Sequence, residues 1–186
     1  MKQCWKGSTL LNPETPVLVS CGTLDKPNIF TVGWCGTICT RPSMVSISVR
    51  PERYSYHLIK ESGEFVINLP AKKLLKAVDW CGVRSGAQYD KFKHCHLTAT
   101  KANRVSAPLL QESPLNLECK VTQSILLGSH EMFIAEVLAC DVEEDLLDDN
   151  GKLDLERADL IVYSHGFYYS LGETLGSFGF TVKKKK

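Results

Sequence analysis

The chain has 186 residues, 44% of them hydrophobic and 23% charged, with a formal net charge of +1. This composition suits one globular domain with a substantial core and excludes a chain too polar to fold. It supplies no global field to gather nucleic acid or an anionic membrane, and no uncharged apolar run has the length of a transmembrane helix.

The opening MKQCWKGSTLL lacks the apolar centre of a signal peptide, so a cytoplasmic location is expected. Residues 1–15 read as an N-terminal segment, 16–175 as the domain, and 176–186 as a tail whose lysine run is most simply solvated. The eight cysteines (Cys4, Cys21, Cys35, Cys39, Cys81, Cys95, Cys119 and Cys140) form no C-x-x-C pair. Cys35 and Cys39 share a face if they lie on a strand, and His94, Cys95 and His96 are adjacent. Neither group has the ligand spacing of a structural zinc site. No metal is expected, and free thiols in a reducing compartment are the simpler account.

PVLVSC, at residues 16–21, is a short β-rich run closed by the turn residues Asp25, Lys26, Pro27 and Asn28. Ile29 to Trp34 restarts as its antiparallel partner. Met44 to Arg50 sets Val45, Ile47 and Val49 against Ser46 and Ser48, a strand with one face open to a polar ligand. Pro51 suits the first turn of a helix. Arg53 to Ser62 reads as that helix, with Tyr54, Leu58 and Glu61 on one side and Gly63 as its stop. Glu64 to Leu69 is another strand, and Lys72 to Trp80 a second short helix.

CGVRSGAQYDKF follows, at residues 81–92. Arg84, Ser85 and Gly86 precede Asp90 and Lys91, a donor-rich basic spacing that suits either a phosphate cradle or an ordinary solvated loop. The second half is plainer. Leu115 to Val121 alternates apolar and polar residues, and Gly128, Ser129 and His130 make a turn. Met132 to Val142 is apolar on both faces, as in a barrel wall covered by helices or by a partner subunit. DDNGK, at residues 148–152, is a turn, and Leu160 to Tyr169 reads as one last strand. Many hairpin-linked strands and few short helices predict a mainly β fold, an antiparallel Greek-key-type barrel. There is no G-x-S-x-G elbow, Walker loop or G-x-G-x-x-G to supply a familiar catalytic or phosphate motif.

The order of these segments resembles the flavin reductase-like, or flavoredoxin, family with its FMN-binding split barrel. The likeness is carried by PVLVSCGTLDKPNIFTVGW, SISVRPERYSYHLIKESGEFVINLP and SGAQYDKF, then by APLLQESPLNLECKV, GSHEMFIAEVLACDVEEDLLDDNGKLD and HGFYYSLGE. These pieces span Pro16 to Gly172.

The resemblance implies non-covalently bound FMN, a homodimer, and a flavin reductase that takes electrons from NAD(P)H and passes them on. Its alternative is a flavoredoxin-like electron carrier served by a redox partner protein; neither nucleic acid nor membrane is implied as a partner. Arg50, Ser55, Tyr56, Ser85 and Lys91 would then meet the phosphate. The ring would lie along Thr31, Val32, Gly33 and Trp34 and along Ser46, Ile47, Ser48 and Val49. His165 and Tyr168 would face the flavin or a nicotinamide, and no catalytic residue is assigned. A phosphate dianion needs cations, N–H donors and, where available, a helix N-terminus, which these segments contain. Each residue also has a plainer reading. Arg50 and Lys91 suit a solvated surface, Ser55 and Tyr56 the capping and packing of a helix, and Trp34, His165 and Tyr168 the barrel wall.

Overall fold

Two hairpins open the chain and end up on opposite edges of one sheet. The computed structural model describes residues 1–182; the lysine run at 183–186 lies outside the described residues. β1 (Val17–Gly22) pairs with β2 (Pro27–Val32), and β3 (Cys35–Thr40) pairs with β4 (Ser43–Val49). α1 (Tyr54–Ser62) leads to β5 (Glu64–Leu69), and a short 3-10 turn leads to α2 (Leu75–Val83) and α3 (Lys91–His94). A small hairpin, β6 (Ala99–Thr100) and β7 (Leu109–Leu110), precedes the long ribbon of β8 (Leu115–Leu127) and β9 (His130–Val142). β10 (Ile161–Ser164) and β11 (Phe167–Ser170) close the fold.

The main sheet runs β2-β1-β5-β8-β9-β4-β3, with every pairing antiparallel. β2 and β3 are its two edges, yet only Gly33 and Trp34 separate them in the chain. The Ser48 N–H donates to the Trp34 carbonyl at 2.9 Å, which extends the β3–β4 pairing into this link. A sheet whose edges are joined by two residues must roll up, so the expected barrel forms.

Alternation then decides what fills it. Val17, Val19 and Cys21 point inward with Val45, Ile47, Val49, Phe65 and Phe133 to form the barrel core, which Ile59 of α1 joins. Leu18 and Ile29 face the other way, against Leu74, Val78 and Cys81 and against Phe92 of α3. β1 is therefore buried on both faces, which anchors α2 and α3 against the wall that carries the site.

Several expectations need correction. α1 buries Ser55 and Ile59, while Tyr54 is exposed; its inward stripe is offset from the one read along Tyr54, Leu58 and Glu61. Gly63 does stop it, with φ of 68° in the left-handed region. The stretch 160–169 is a hairpin, because His165 and Gly166 turn back with φ of 49° and 93°. β8 buries its polar face as well: Glu118 is fully buried, accepting the backbone N–H groups of Asn103, Arg104 and Val105 from an outer loop. A register shift between Thr37 and Cys39 breaks the simple alternation expected of Cys35 and Cys39. In β9, Leu138 stays exposed, as do Ile125, Leu126 and Leu127 at the end of β8.

Candidate functional site

A cavity of about 590 Å³ opens where β2 passes into β3. Its walls are Phe30 to Trp34, Ser48 to Arg50, the first residues of α1, and the segment from Cys81 to Gly86 that ends α2; Lys91 forms part of its lining. Two antiparallel pairings hold β2, β1 and β5 together beneath it, and the Thr31 hydroxyl donates to the Val78 carbonyl, tying β2 to α2.

One end of this cavity is cationic. Arg50, Arg53, Arg84 and Lys91 all line it, and among the described residues none of them forms an ion pair. The arginines are exposed, but Lys91 is only 3% exposed. Its Nζ donates to the Cys81 carbonyl at 2.8 Å, which uses one of three N–H groups. Burial pulls its pKa below the ordinary lysine value, against the opposing influence of Cys81 and Cys21. A buried ammonium with no carboxylate beside it is costly, and an anion in the cavity is the partner that fits it.

The backbone adds to this end. α1 begins at the cavity with Arg53 as its N-cap and no side chain capping it, so its first N–H groups and its dipole are available to an anion. Ser55 is buried, its Oγ accepting from Asn28 Nδ2 at 2.8 Å. Gly86 packs against the same asparagine: an added Cβ would overlap Asn28 Oδ1 and come within 2.8 Å of the Tyr54 ring. Only glycine lets the loop lie this close. Ser85 turns the loop, its carbonyl accepting from the N–H groups of Gln88 and Tyr89 at 3.1 and 3.2 Å.

Aromatic rings line the cavity as well. Trp34 donates from Nε1 to Glu14 Oε1 at 2.9 Å, and its ring lies 4.6 Å from that of His130. Burial lowers the His130 pKa, and Arg50 adds to the effect. Glu14 is held by paired backbone hydrogen bonds with Tyr163. Opposite, Tyr168 donates to Asp79 Oδ1 at 3.2 Å, and burial followed by the Asp79 charge pushes its phenol up to about 12. The result is a cavity with a predominantly polar lining, in which four cations share the walls with Phe30, Trp34, Tyr54, Tyr163 and Tyr168.

Of the residues expected from the sequence, Thr31, Val32, Gly33, Trp34, Ser48, Val49, Arg50, Ser55, Ser85, Lys91 and Tyr168 line this one cavity. Four expected residues are placed elsewhere. Ile47 faces the barrel core, and Ser46 lies further down β4 than the cavity reaches. Tyr56 points away from the site and donates to Glu131 Oε2, because it sits one residue, or about 100°, round the helix from Ser55. His165 is at the hairpin turn, its N–H bonded to Asn12 Oδ1 at 3.3 Å, and Gly166 reaches the cavity instead.

Sequence reading did not single out Glu14, Tyr54, Asp79, His130 or Tyr163 as site residues, although all five line it. The sequence marks His130 only as part of a turn. Glu14 and Asp79 arrive from outside the barrel strands, and no local pattern marks them.

The family model described as "Flavin reductase like domain" matches residues 11–172. The chain belongs to that family. Flavoredoxin of Desulfovibrio vulgaris (Miyazaki F) superposes with a TM-score of 0.90 at 32% identity, covering 98% of this chain and all of that one. Flavoredoxin from Methanosarcina acetivorans also gives 0.90, at 26% identity and 97% coverage of each chain. An uncharacterized protein of Archaeoglobus fulgidus is 35% identical over 128 residues, 69% of this chain and 72% of its own. A flavin-binding redox role follows from the family. The cavity offers an anionic cofactor four cations and the uncapped start of α1.

Proposed function

We propose that the protein binds FMN in this cavity and passes electrons from NAD(P)H through it to an acceptor. The carrying observation is Lys91, a buried cation with no carboxylate partner among the described residues, at the end of a cavity that three arginines also line. Lys91, Arg84, Arg50, Arg53, Ser55, Ser85 and the start of α1 would hold the phosphate. The segments Thr31–Trp34 and Ser48–Val49 would wall the ring. Bound FMN supplies hydride acceptance and electron transfer; the chain supplies orientation, cations and exclusion of water. The Gly86 loop packs against Asn28 and Tyr54 beside these cations, so we propose FMN rather than a flavin that continues into an adenylate.

A second reading, an electron carrier that takes electrons from a redox protein, is supported by the two flavoredoxin likenesses. The eight free thiols suit a reducing, cytoplasmic compartment. A homodimer would cover the exposed Leu138 and the groove lined by Cys39, Met44, Val137 and Cys140. Anaerobic addition of NADH or NADPH to FMN-loaded protein separates the readings. Rapid bleaching of the flavin absorbance supports the reductase. Loaded flavin that ignores both nucleotides but accepts electrons from a small reduced protein supports the carrier. A preparation that takes up no FMN sinks both.

A further inference from the structure

Two cysteines bracket the loop at the basic end. Cys81 lies in the last turn of α2 and Cys95 is the C-cap of α3, with Arg84, Ser85 and Gly86 between them in the chain. Their sulfurs are 4.0 Å apart, in contact but not bonded. Among the described residues no other two cysteine sulfurs are in hydrogen-bonding contact. A disulfide bond is about 2.05 Å long, so each sulfur needs to move only about 1 Å to form one.

The pair is also coupled to the site. Cys81 lines the cavity, and its carbonyl accepts from Lys91 Nζ at 2.8 Å. The Cys95 N–H donates to the Lys91 carbonyl at 3.0 Å, so displacing Cys95 displaces Lys91. The two thiols are unequal. Cys81 is 1% exposed and burial pushes it up to about 12, whereas Cys95 is partly exposed and raised less. Lys91 favours the thiolate of both. Cys95 is therefore the sulfur that meets an oxidant first.

We propose that Cys81 and Cys95 are a reversible dithiol–disulfide site, oxidised by a hydroperoxide, and that closing the bond weakens the phosphate end of the cavity. The Cys95 thiolate attacks the O–O bond of hydrogen peroxide. An S–O bond forms, the O–O bond breaks, and the leaving hydroxide takes a proton to become water. The Cys81 thiol then attacks the resulting sulfenic sulfur. The S–S bond forms, the S–O bond breaks, and the departing hydroxide leaves as water with the Cys81 proton. Two thiols lose two electrons and two protons, and one peroxide becomes two waters. A dithiol reductant reverses the bond by exchange.

The effect on the phosphate end rests on the FMN reading; the disulfide itself does not, so the two are tested in order. Reduced apoprotein is titrated with hydrogen peroxide, quenched by alkylation and mapped by mass spectrometry. A bridged peptide containing Cys81 and Cys95, appearing before oxidation of any other cysteine, is expected. Cys81→Ser should instead leave Cys95 as a sulfenic acid that dimedone traps. Cleavage products showing other cysteines oxidised first, with Cys81 and Cys95 still free thiols, overturn the proposal. FMN is then titrated into reduced and oxidised wild type and into peroxide-treated Cys95→Ser. A several-fold weaker affinity in oxidised wild type alone is expected. Equal FMN affinity in both wild-type forms overturns the control of the site and leaves FMN binding intact. Failure of the reduced protein to bind FMN overturns that reading instead, whatever the disulfide map shows.

Discussion

Replacing Lys91 by methionine keeps the apolar stem and removes the ammonium, so it isolates what the buried charge does. In the free protein that charge sits 3% exposed with one carbonyl acceptor and, among the described residues, no carboxylate partner. Its removal takes away one hydrogen bond and also the desolvation of an unpaired cation; these effects oppose each other. The apoprotein should therefore melt at or above the wild-type temperature. FMN binding should respond the other way. A hydrogen bond to a charged group contributes about 1.5–3 kcal/mol, so FMN affinity should fall roughly ten- to 150-fold. Riboflavin, which lacks the phosphate, should bind the variant and the wild type about equally.

The pH dependence has a matching sign. Burial lowers the folded pKa of Lys91 below the unfolded value of 10.5, so the penalty on the apoprotein is full below the folded pKa. It is relieved as pH rises through the folded pKa, and over the same window FMN affinity falls as the ammonium is lost. The assay is titration of both flavins into apo wild type and Lys91→Met by fluorescence quenching, beside thermal melts. A variant that is several degrees less stable and loses FMN and riboflavin in step would show that Lys91 is a structural residue, and the reasoning would fail.

Arg84→Ala and Arg50→Ala should each weaken FMN less than Lys91→Met, because both arginines are exposed and screened by salt, and the loss should shrink further at high ionic strength in the same titration. Gly86→Ala should push the loop off Asn28 and Tyr54 and reduce FMN affinity while far-UV circular dichroism stays unchanged; wild-type affinity would refute the close approach. Tyr56→Phe should leave FMN binding alone and raise the midpoint of acid unfolding. Lys60, Ser124 and Tyr56 hold the Glu131 carboxyl down to about 2 from 4.5, so the stability it contributes is full above 4.5 and lost as pH falls toward 2. Sedimentation equilibrium at micromolar concentration should give a dimer mass, and a persistent monomer would remove the explanation offered for the exposed Leu138 and the groove beside it.

Local pattern carried most of the elements. Val45, Ile47 and Val49 alternate with serines and become the inward row of β4, and Gly63 ends α1 where its freedom to adopt positive φ predicts. Period-2 alternation and glycine stops act over a few residues, so they are visible in the chain alone. The likeness of ordered segments named the barrel, and most of the residues it pointed to, from Thr31 to Tyr168, line the one cavity. What it left open was direction. Ser55 and Tyr56 are neighbours in sequence, yet one lines the cavity and the other bonds Glu131 on the far side of the helix. Only the packing of Ile59 into the barrel sets that rotation of α1. The same holds for Glu14, Asp79 and His130, which line one cavity although they come from the segment before β1, from α2 and from β9. Lys91 is the clearest case. Beside Asp90 in the sequence it reads as half of a surface pair, but Asp90 caps α3 through the Lys93 N–H, while Phe92 packs against α2 and leaves the lysine buried at the cavity. Burial and counter-ion distance are long-range quantities, and no window of the sequence contains them.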